Sequence, residues 1–71
     1  MAKPFDLLNE MVGKNVVVGI KGGKEFRGKV LAFDIHMNLS LTDVKIVVGE
    51  ETKEVPKLFL RGDSIVYMYL E

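Results

Sequence analysis

The chain has 71 residues, of which ten are basic and ten are acidic, and it contains one histidine and no cysteine. This length predicts a single small domain over residues 1–71, and the composition excludes disulfides, thiolate or histidine-rich metal sites, and nucleic-acid binding through bulk positive charge. No apolar run approaches the ~18 residues of a membrane-spanning helix, and the N-terminal sequence lacks the apolar core of a signal peptide, so we expect a cytoplasmic protein.

A short helix is predicted within residues 3–14, KPFDLLNEMVGK. Leu7, Leu8 and Met11 recur on one face of such a helix, and Gly13 is a natural stop. Because a helix this short does not persist alone, we expect its apolar face to lie on the rest of the domain.

Two strands follow, over residues 15–21 and 25–35, and the turn KGGK at 21–24 joins them. Paired glycines supply the positive φ values that a tight hairpin needs. Gly28 inside the second strand marks a bend or a bulge. The run VLAF at 30–33 is apolar on both faces, which predicts a strand covered on both sides.

Three further strands are predicted over residues 39–48, 52–60 and 65–70. The apolar alternation of the first slips in phase near Asp43, which indicates a bulge or a sharp bend. Pro56 favours an edge position or a bulge for the second, because proline cannot donate to a ladder.

The predicted fold is therefore mainly β, with one short N-terminal helix and five short antiparallel strands that bend into a barrel. The last strand, IVYMYL, carries no charge along its length. An apolar strand of this kind either lies inside the sheet or meets another chain. We favour a partner chain, because so small a barrel cannot cover both of its faces.

Two segments resemble the two motifs of the Sm and Sm-like (LSm) protein family. Residues 13–44 carry the KGG turn, the FRG bend and the sequence DIHMN of the first motif, and KLFLRGDSIVYM at 57–68 is similar to the second. The second motif is of the archaeal and eukaryotic kind, and the two motifs with their connections cover almost the whole chain.

The resemblance implies a strongly bent five-stranded antiparallel barrel of SH3-like type, capped by the helix. It also implies a homo-oligomeric ring, most often of seven subunits in archaeal members, in which strand four of one subunit pairs with strand five of the next. Such rings bind single-stranded, U-rich RNA near the pore, as scaffolds or chaperones in RNA processing. No cofactor, metal, membrane or small-molecule substrate is implied.

Five residues form the RNA site that the resemblance implies. His36 and Arg61 cover the two faces of one base, where the plain alternatives are a solvated histidine and a surface cation. Asn38 reads the edge of uracil with its amide, although it could simply form a turn. The Gly62 N–H faces uracil O2, and Asp63 orients Asn38.

Two residues support that site. Asp34 ties down its own loop, and Met37 most simply contributes packing. A hydrolytic trio of Asp34, His36 and Ser64 can be assembled from the sequence, but nothing places Ser64 beside His36, so we expect no enzyme. The rival interpretation is an SH3-like structural or protein-interaction barrel that assembles through its edge strands without RNA.

Overall fold

The computed structural model describes residues 3–71, which form one helix and five strands. Within this part of the chain no helix is long and apolar enough to cross a membrane. The elements are α1 (Pro4–Met11), β1 (Asn15–Ile20), β2 (Glu25–Phe33), β3 (Leu39–Val48), β4 (Glu51–Leu60), a short 3₁₀ turn (Gly62–Ser64) and β5 (Ile65–Leu70). The predicted order of elements is confirmed, although β2 ends at Phe33, two residues earlier than predicted.

The five strands form one antiparallel sheet in the order β4-β3-β2-β1-β5. The strands β4 and β5 are its two edges and do not pair with each other within the chain. The uncharged strand β5 therefore lies at an edge rather than inside the sheet. Each edge presents backbone groups that can pair with a further strand.

The two positions that the sequence singled out, Gly28 and Asp43, lie at one irregularity in the pairing of β2 with β3, and a second irregularity lies between Val30 and Ala32. Opposite Gly28, the pairing of β2 with β3 shifts register between Arg27 and Lys29. A Cβ on Gly28 would lie 3.1 Å from the carbonyl oxygen of Thr42, so the strands approach closely at this point. Asp43 takes a left-handed φ of 54°, which confirms the irregularity predicted near it. Extra residues at such points increase the bend and the twist of a sheet.

The helix covers the open end of the bent sheet. Leu8 and Met11 are buried, and Gly13, at a φ of 83°, turns the chain into β1. Leu7 was expected on the same buried face but is 48% exposed. It lines an open groove between α1 and β5.

The core is apolar, and no polar side chain is buried among residues 3–71. It comprises Leu8, Met11, Val16, Val18, Phe26, Val30, Leu39, Leu41, Val44 and Leu60. The expectation that residues 30–33 are covered on both faces is wrong for Leu31, which is 47% exposed. The reason is that Leu31 is the extra residue where the pairing of β2 with β3 shifts register between Val30 and Ala32.

Candidate functional site

Two loops that are far apart in the sequence meet at one end of the sheet. Residues 34–38 connect β2 to β3, and residues 61–64 connect β4 to β5. The loops are neighbours because Leu39 pairs with Leu60, so that β3 begins where β4 ends. Between them lies a cleft of about 350 Å³, lined by His36, Asn38, Phe59, Arg61 and Asp63.

Asp34 holds the first loop in shape. Its Oδ1 accepts hydrogen bonds from the backbone N–H groups of His36 at 2.9 Å and of Asn38 at 3.1 Å. The Met37 N–H donates to the Asp34 carbonyl at 3.0 Å, and Met37 itself packs against the core. The hydrogen bond from the Asn38 side chain, helped by the two backbone donors, holds the pKa of Asp34 below its usual value of 3.8.

The Asn38 amide is held at both ends. Its Nδ2 donates to Asp34 Oδ2 at 3.0 Å, and its Oδ1 accepts from the Gly62 N–H at 2.8 Å. A flipped amide would set its oxygen against a carboxylate and its NH₂ group against an N–H donor. One N–H of Nδ2 and one lone pair of Oδ1 remain, side by side, for a ligand.

Two of the predicted roles are wrong. Asp63 does not hold Asn38: its Oδ2 lies 3.3 Å from Arg61 Nη2, and Asp34, in the same loop as Asn38, takes the amide instead. The Gly62 N–H is not free to meet a base, because it already donates to Asn38 Oδ1.

The two side chains predicted to stack on a base, those of His36 and Arg61, come from opposite loops and line the same cleft. The Arg61 side chain is 76% exposed, and its ion pair with Asp63 faces water. Exposed pairs of this kind contribute little, about 0–1 kcal/mol, so the guanidinium can leave it for another partner. A planar cation and an imidazole at one cleft suit the faces of a nucleobase.

The same cleft offers no arrangement for hydrolysis or for metal binding. The Ser64 hydroxyl donates to the carbonyl oxygen of Arg61 at 2.7 Å, within its own turn. Among residues 3–71 no group of three or more His, Cys, Asp or Glu side chains is placed to hold a metal ion. What remains is a recognition surface with one fixed donor–acceptor pair and two flat side chains.

A comparison with protein-family models matches the LSM domain over residues 6–70. The chain belongs to the LSM domain family. It is 43% identical over 67 residues to an snRNP Sm-like protein of Archaeoglobus fulgidus, covering 93% of this chain and 87% of that protein. It is 38% identical over 65 residues to one of Thermococcus kodakarensis, covering 90% of this chain and 86% of that protein.

Solved structures of Sm proteins share the architecture of this LSM domain. The Pyrococcus abyssi Sm protein in complex with a uridine heptamer has a TM-score of 0.92 at 32% identity, over 99% of this chain and 100% of that chain. A heptameric archaeal Sm protein has a TM-score of 0.87 at 26% identity, over 92% of this chain and 96% of that chain. The Sm fold expected from the two motifs is thereby confirmed.

Phe59 is the one residue lining the cleft of this LSM domain that the sequence analysis did not select. It is 62% exposed and lies in β4, two residues before Arg61. The signal was present in the sequence, because alternation along a strand places residues two apart on the same face.

Gly62 allows the two loops of the LSM domain to touch. A Cβ at this position would collide with the carbonyl oxygen of His36 and would lie 2.8 Å from the carbonyl carbon of Met37. Both atoms belong to the backbone and cannot rotate away as the end of a side chain can. The absence of a side chain is therefore required for the bond from the Gly62 N–H to Asn38 Oδ1.

We expect Gly62→Ala to destabilise the LSM domain by about 1–3 kcal/mol, the usual effect of overpacking. The added methyl group forces the loops apart and breaks the bond to Asn38. Urea unfolding measures the change, and Asp63→Ala is the matched control, because it alters the same turn and loses only a solvent-exposed ion pair. An unfolding midpoint for Gly62→Ala equal to that of the wild type would contradict the prediction.

Proposed function

We propose that this LSM domain protein forms a homo-oligomeric ring, of seven subunits, that binds single-stranded U-rich RNA near its pore. Its role is to scaffold or chaperone RNA during RNA processing, with no catalytic step. The observation that carries the proposal is the Asn38 amide, fixed between Asp34 and Gly62 with a donor and an acceptor left for a ligand.

The two free edges of the sheet support the ring. Among residues 3–71 the outer edges of β4 and β5 have no strand partner, and pairing β4 of one subunit with β5 of the next continues the sheet from subunit to subunit. Several large apolar side chains of β5 are exposed: Val66, Tyr67, Tyr69 and Leu70. A heptameric archaeal Sm protein shares the fold.

The orientation of the amide supports a preference for uracil. Uracil presents O4 as an acceptor beside N3–H as a donor, which match the free N–H of Asn38 Nδ2 and the free lone pair of Oδ1. Cytosine presents the reverse pair and leaves polar groups unsatisfied, at about 1–3 kcal/mol each. A related Sm protein that is 32% identical has been solved in complex with a uridine heptamer.

Stacking between His36 and Arg61 supplies affinity that does not require a net positive charge on the chain. Base stacking on such side chains contributes about 1–3 kcal/mol per base. Equivalent sites around a ring act together, so that a short U-tract binds tightly although each site is weak. This explains how a chain with a net charge of zero can bind RNA.

We expect Asp34→Asn to narrow the preference for oligo(U) over oligo(C). Asparagine at position 34 offers both a donor and an acceptor, so the Asn38 amide loses the carboxylate that opposes its flipped orientation. Relative binding of oligo(C) should rise more than binding of oligo(U) falls. Parallel anisotropy titrations with the two RNAs measure the ratio.

Asp63→Asn is the matched control, because Asp63 pairs with Arg61 and does not contact the amide. Its U-to-C ratio should equal that of the wild type. A ratio that falls in Asp63→Asn and stays constant in Asp34→Asn would mean that Asp63 orients Asn38 after all.

The proposal as a whole is tested by native mass spectrometry with and without oligo(U), oligo(A) and oligo(C). We expect a ring of 8.0 kDa subunits that retains oligo(U) in preference to the other two. A structural or protein-interaction barrel would assemble without binding any of the homopolymers, and that result would replace the proposal with its rival.

A further inference from the structure

We propose that Phe59 is a second base platform, which stacks on the nucleotide next to the one held by Asn38 and accepts any base there. The inference rests on the proposed function and extends its binding site along the RNA strand. It would give each subunit one position that reads uracil and one that adds affinity alone.

The placement of the Phe59 ring follows from β4. Its neighbours on either side, Leu58 and Leu60, pack against the core, so the Phe59 ring stands on the opposite face of the sheet. Arg61 follows two residues later, about 6.6 Å along the chain direction at the usual rise of a strand. One step of an extended nucleotide chain can span that distance.

Phe59 lines two adjoining clefts. The first is the cleft of Asn38 and Arg61, and the second, of about 310 Å³, is lined by Leu31, Ser40, Leu41, Lys57, Leu58 and Phe59. The second cleft combines apolar surface with one ammonium group. That combination fits a base, which needs an apolar face to stack on, and the phosphate attached to it, which attracts a cation.

The chemistry of the side chain explains why this position would accept any base. A phenyl ring has no hydrogen-bond donor or acceptor, and every base has a flat face that stacks on it. Asn38, in contrast, offers a fixed pair of polar groups. The Phe59 position would therefore contribute affinity for any base, whereas the Asn38 position would determine which base is preferred.

Assembly of a ring does not by itself occupy the Phe59 side chain. Pairing of β4 with a neighbouring β5 uses backbone N–H and C=O groups in the plane of the sheet, whereas side chains stand off its faces. The ring of Phe59 is 62% exposed in the single chain. The solvent-exposed face of the ring is therefore available for a base to stack on.

The test compares UMP with the dinucleotides UpA and ApU, by equilibrium dialysis against the assembled wild-type protein. UMP occupies only the Asn38 position. Adenine does not match an amide set for uracil, so neither dinucleotide can bridge two Asn38 sites. We expect one of the two dinucleotides to bind about fivefold or more tightly than UMP.

Phe59→Leu should remove this gain and change UMP binding by less than twofold, since leucine keeps an apolar side chain at the edge of the Asn38 cleft but offers no ring. Phe59→Trp should retain the gain. Phe5→Leu is the matched control, because Phe5 is also an exposed phenylalanine, 47% accessible, but lies on α1 against Phe33 and outside both clefts. It should behave as the wild type does.

The outcomes separate this inference from the function on which it rests. Wild-type protein that binds neither UMP nor oligo(U) would overturn the proposed function. If UMP binds, three results overturn the role of Phe59 alone: no gain for either dinucleotide, a gain that survives Phe59→Leu, or loss of the ring in that variant by native mass spectrometry. Photocrosslinking with 8-azidoadenosine in place of the adenosine should label the peptide that contains Phe59, and labelling confined to the His36 peptide would count against it.

Discussion

Val66→Pro is expected to convert the ring into monomers of 8.0 kDa. Val66 lies in β5, at the edge of the sheet, where the pairing of β5 with β1 shifts register between Gly19 and Ile20. It has no Cα partner in β1, and its side chain is 63% exposed. Proline removes a backbone donor and is not accommodated in a strand that pairs on both sides. A neighbouring β4 can therefore no longer pair along this edge.

Val66→Thr is the matched control, because threonine keeps the backbone donor and the β-branched shape. Sedimentation velocity gives the size of each species, and circular dichroism verifies that the monomer still contains its strands. A wild-type protein that sediments at 8.0 kDa at micromolar concentration would defeat the ring itself. A folded Val66→Pro variant that still sediments as a ring would show that the pairing of β4 with β5 between subunits does not need this donor.

His36→Ala and Arg61→Ala should each weaken oligo(U) binding by about 1–3 kcal/mol per bound base, or roughly 5- to 150-fold. Each substitution removes one of the two flat side chains that line the cleft. Neither residue lies in a strand, so the ring should remain intact. Arg61 is mostly exposed, and its loss leaves no buried group without a partner.

Fluorescence anisotropy with labelled oligo(U) at two salt concentrations separates stacking from charge. His36→Ala should lower the affinity without changing its dependence on salt concentration. The loss of a phosphate contact, in contrast, lowers the slope of log affinity against log salt concentration. Lys53→Ala, an exposed cation of β4 outside the cleft, is the control for Arg61→Ala. Wild-type affinity in the double variant of His36 and Arg61 would rule out this cleft as the RNA site.

Much of the fold could be predicted because it rests on local preferences of the chain. The paired glycines of KGGK take φ values of 91° and 87°, which few other residues adopt. Gly28 and the phase slip near Asp43 marked one of the two places where the register of β2 and β3 is interrupted; the second, between Val30 and Ala32, was not predicted. Alternation of apolar residues located all five strands to within about two residues of their ends.

The motifs also indicated three residues, His36, Asn38 and Arg61, that line one cleft in the structure, and their role in RNA binding stays a prediction. They did not determine which carboxylate orients the amide. Asp34 and Asp63 have the same hydrogen-bonding groups, and either could accept from Asn38 on chemical grounds. The structure selects Asp34, which lies in the same loop as the amide, and pairs Asp63 with Arg61.

The sequence by itself thus determined the elements, the irregularity at Gly28 and Asp43, and the family, because these depend on the φ and ψ preferences of single residues and on their spacing along the chain. Tertiary structure alone decided that Gly62 must lack a side chain, that its N–H meets Asn38 across 24 residues, and that Leu31 and Phe59 remain exposed. The physical reason is that hydrogen-bond partners and burial depend on distances between segments remote in the chain, which packing sets and local preference does not.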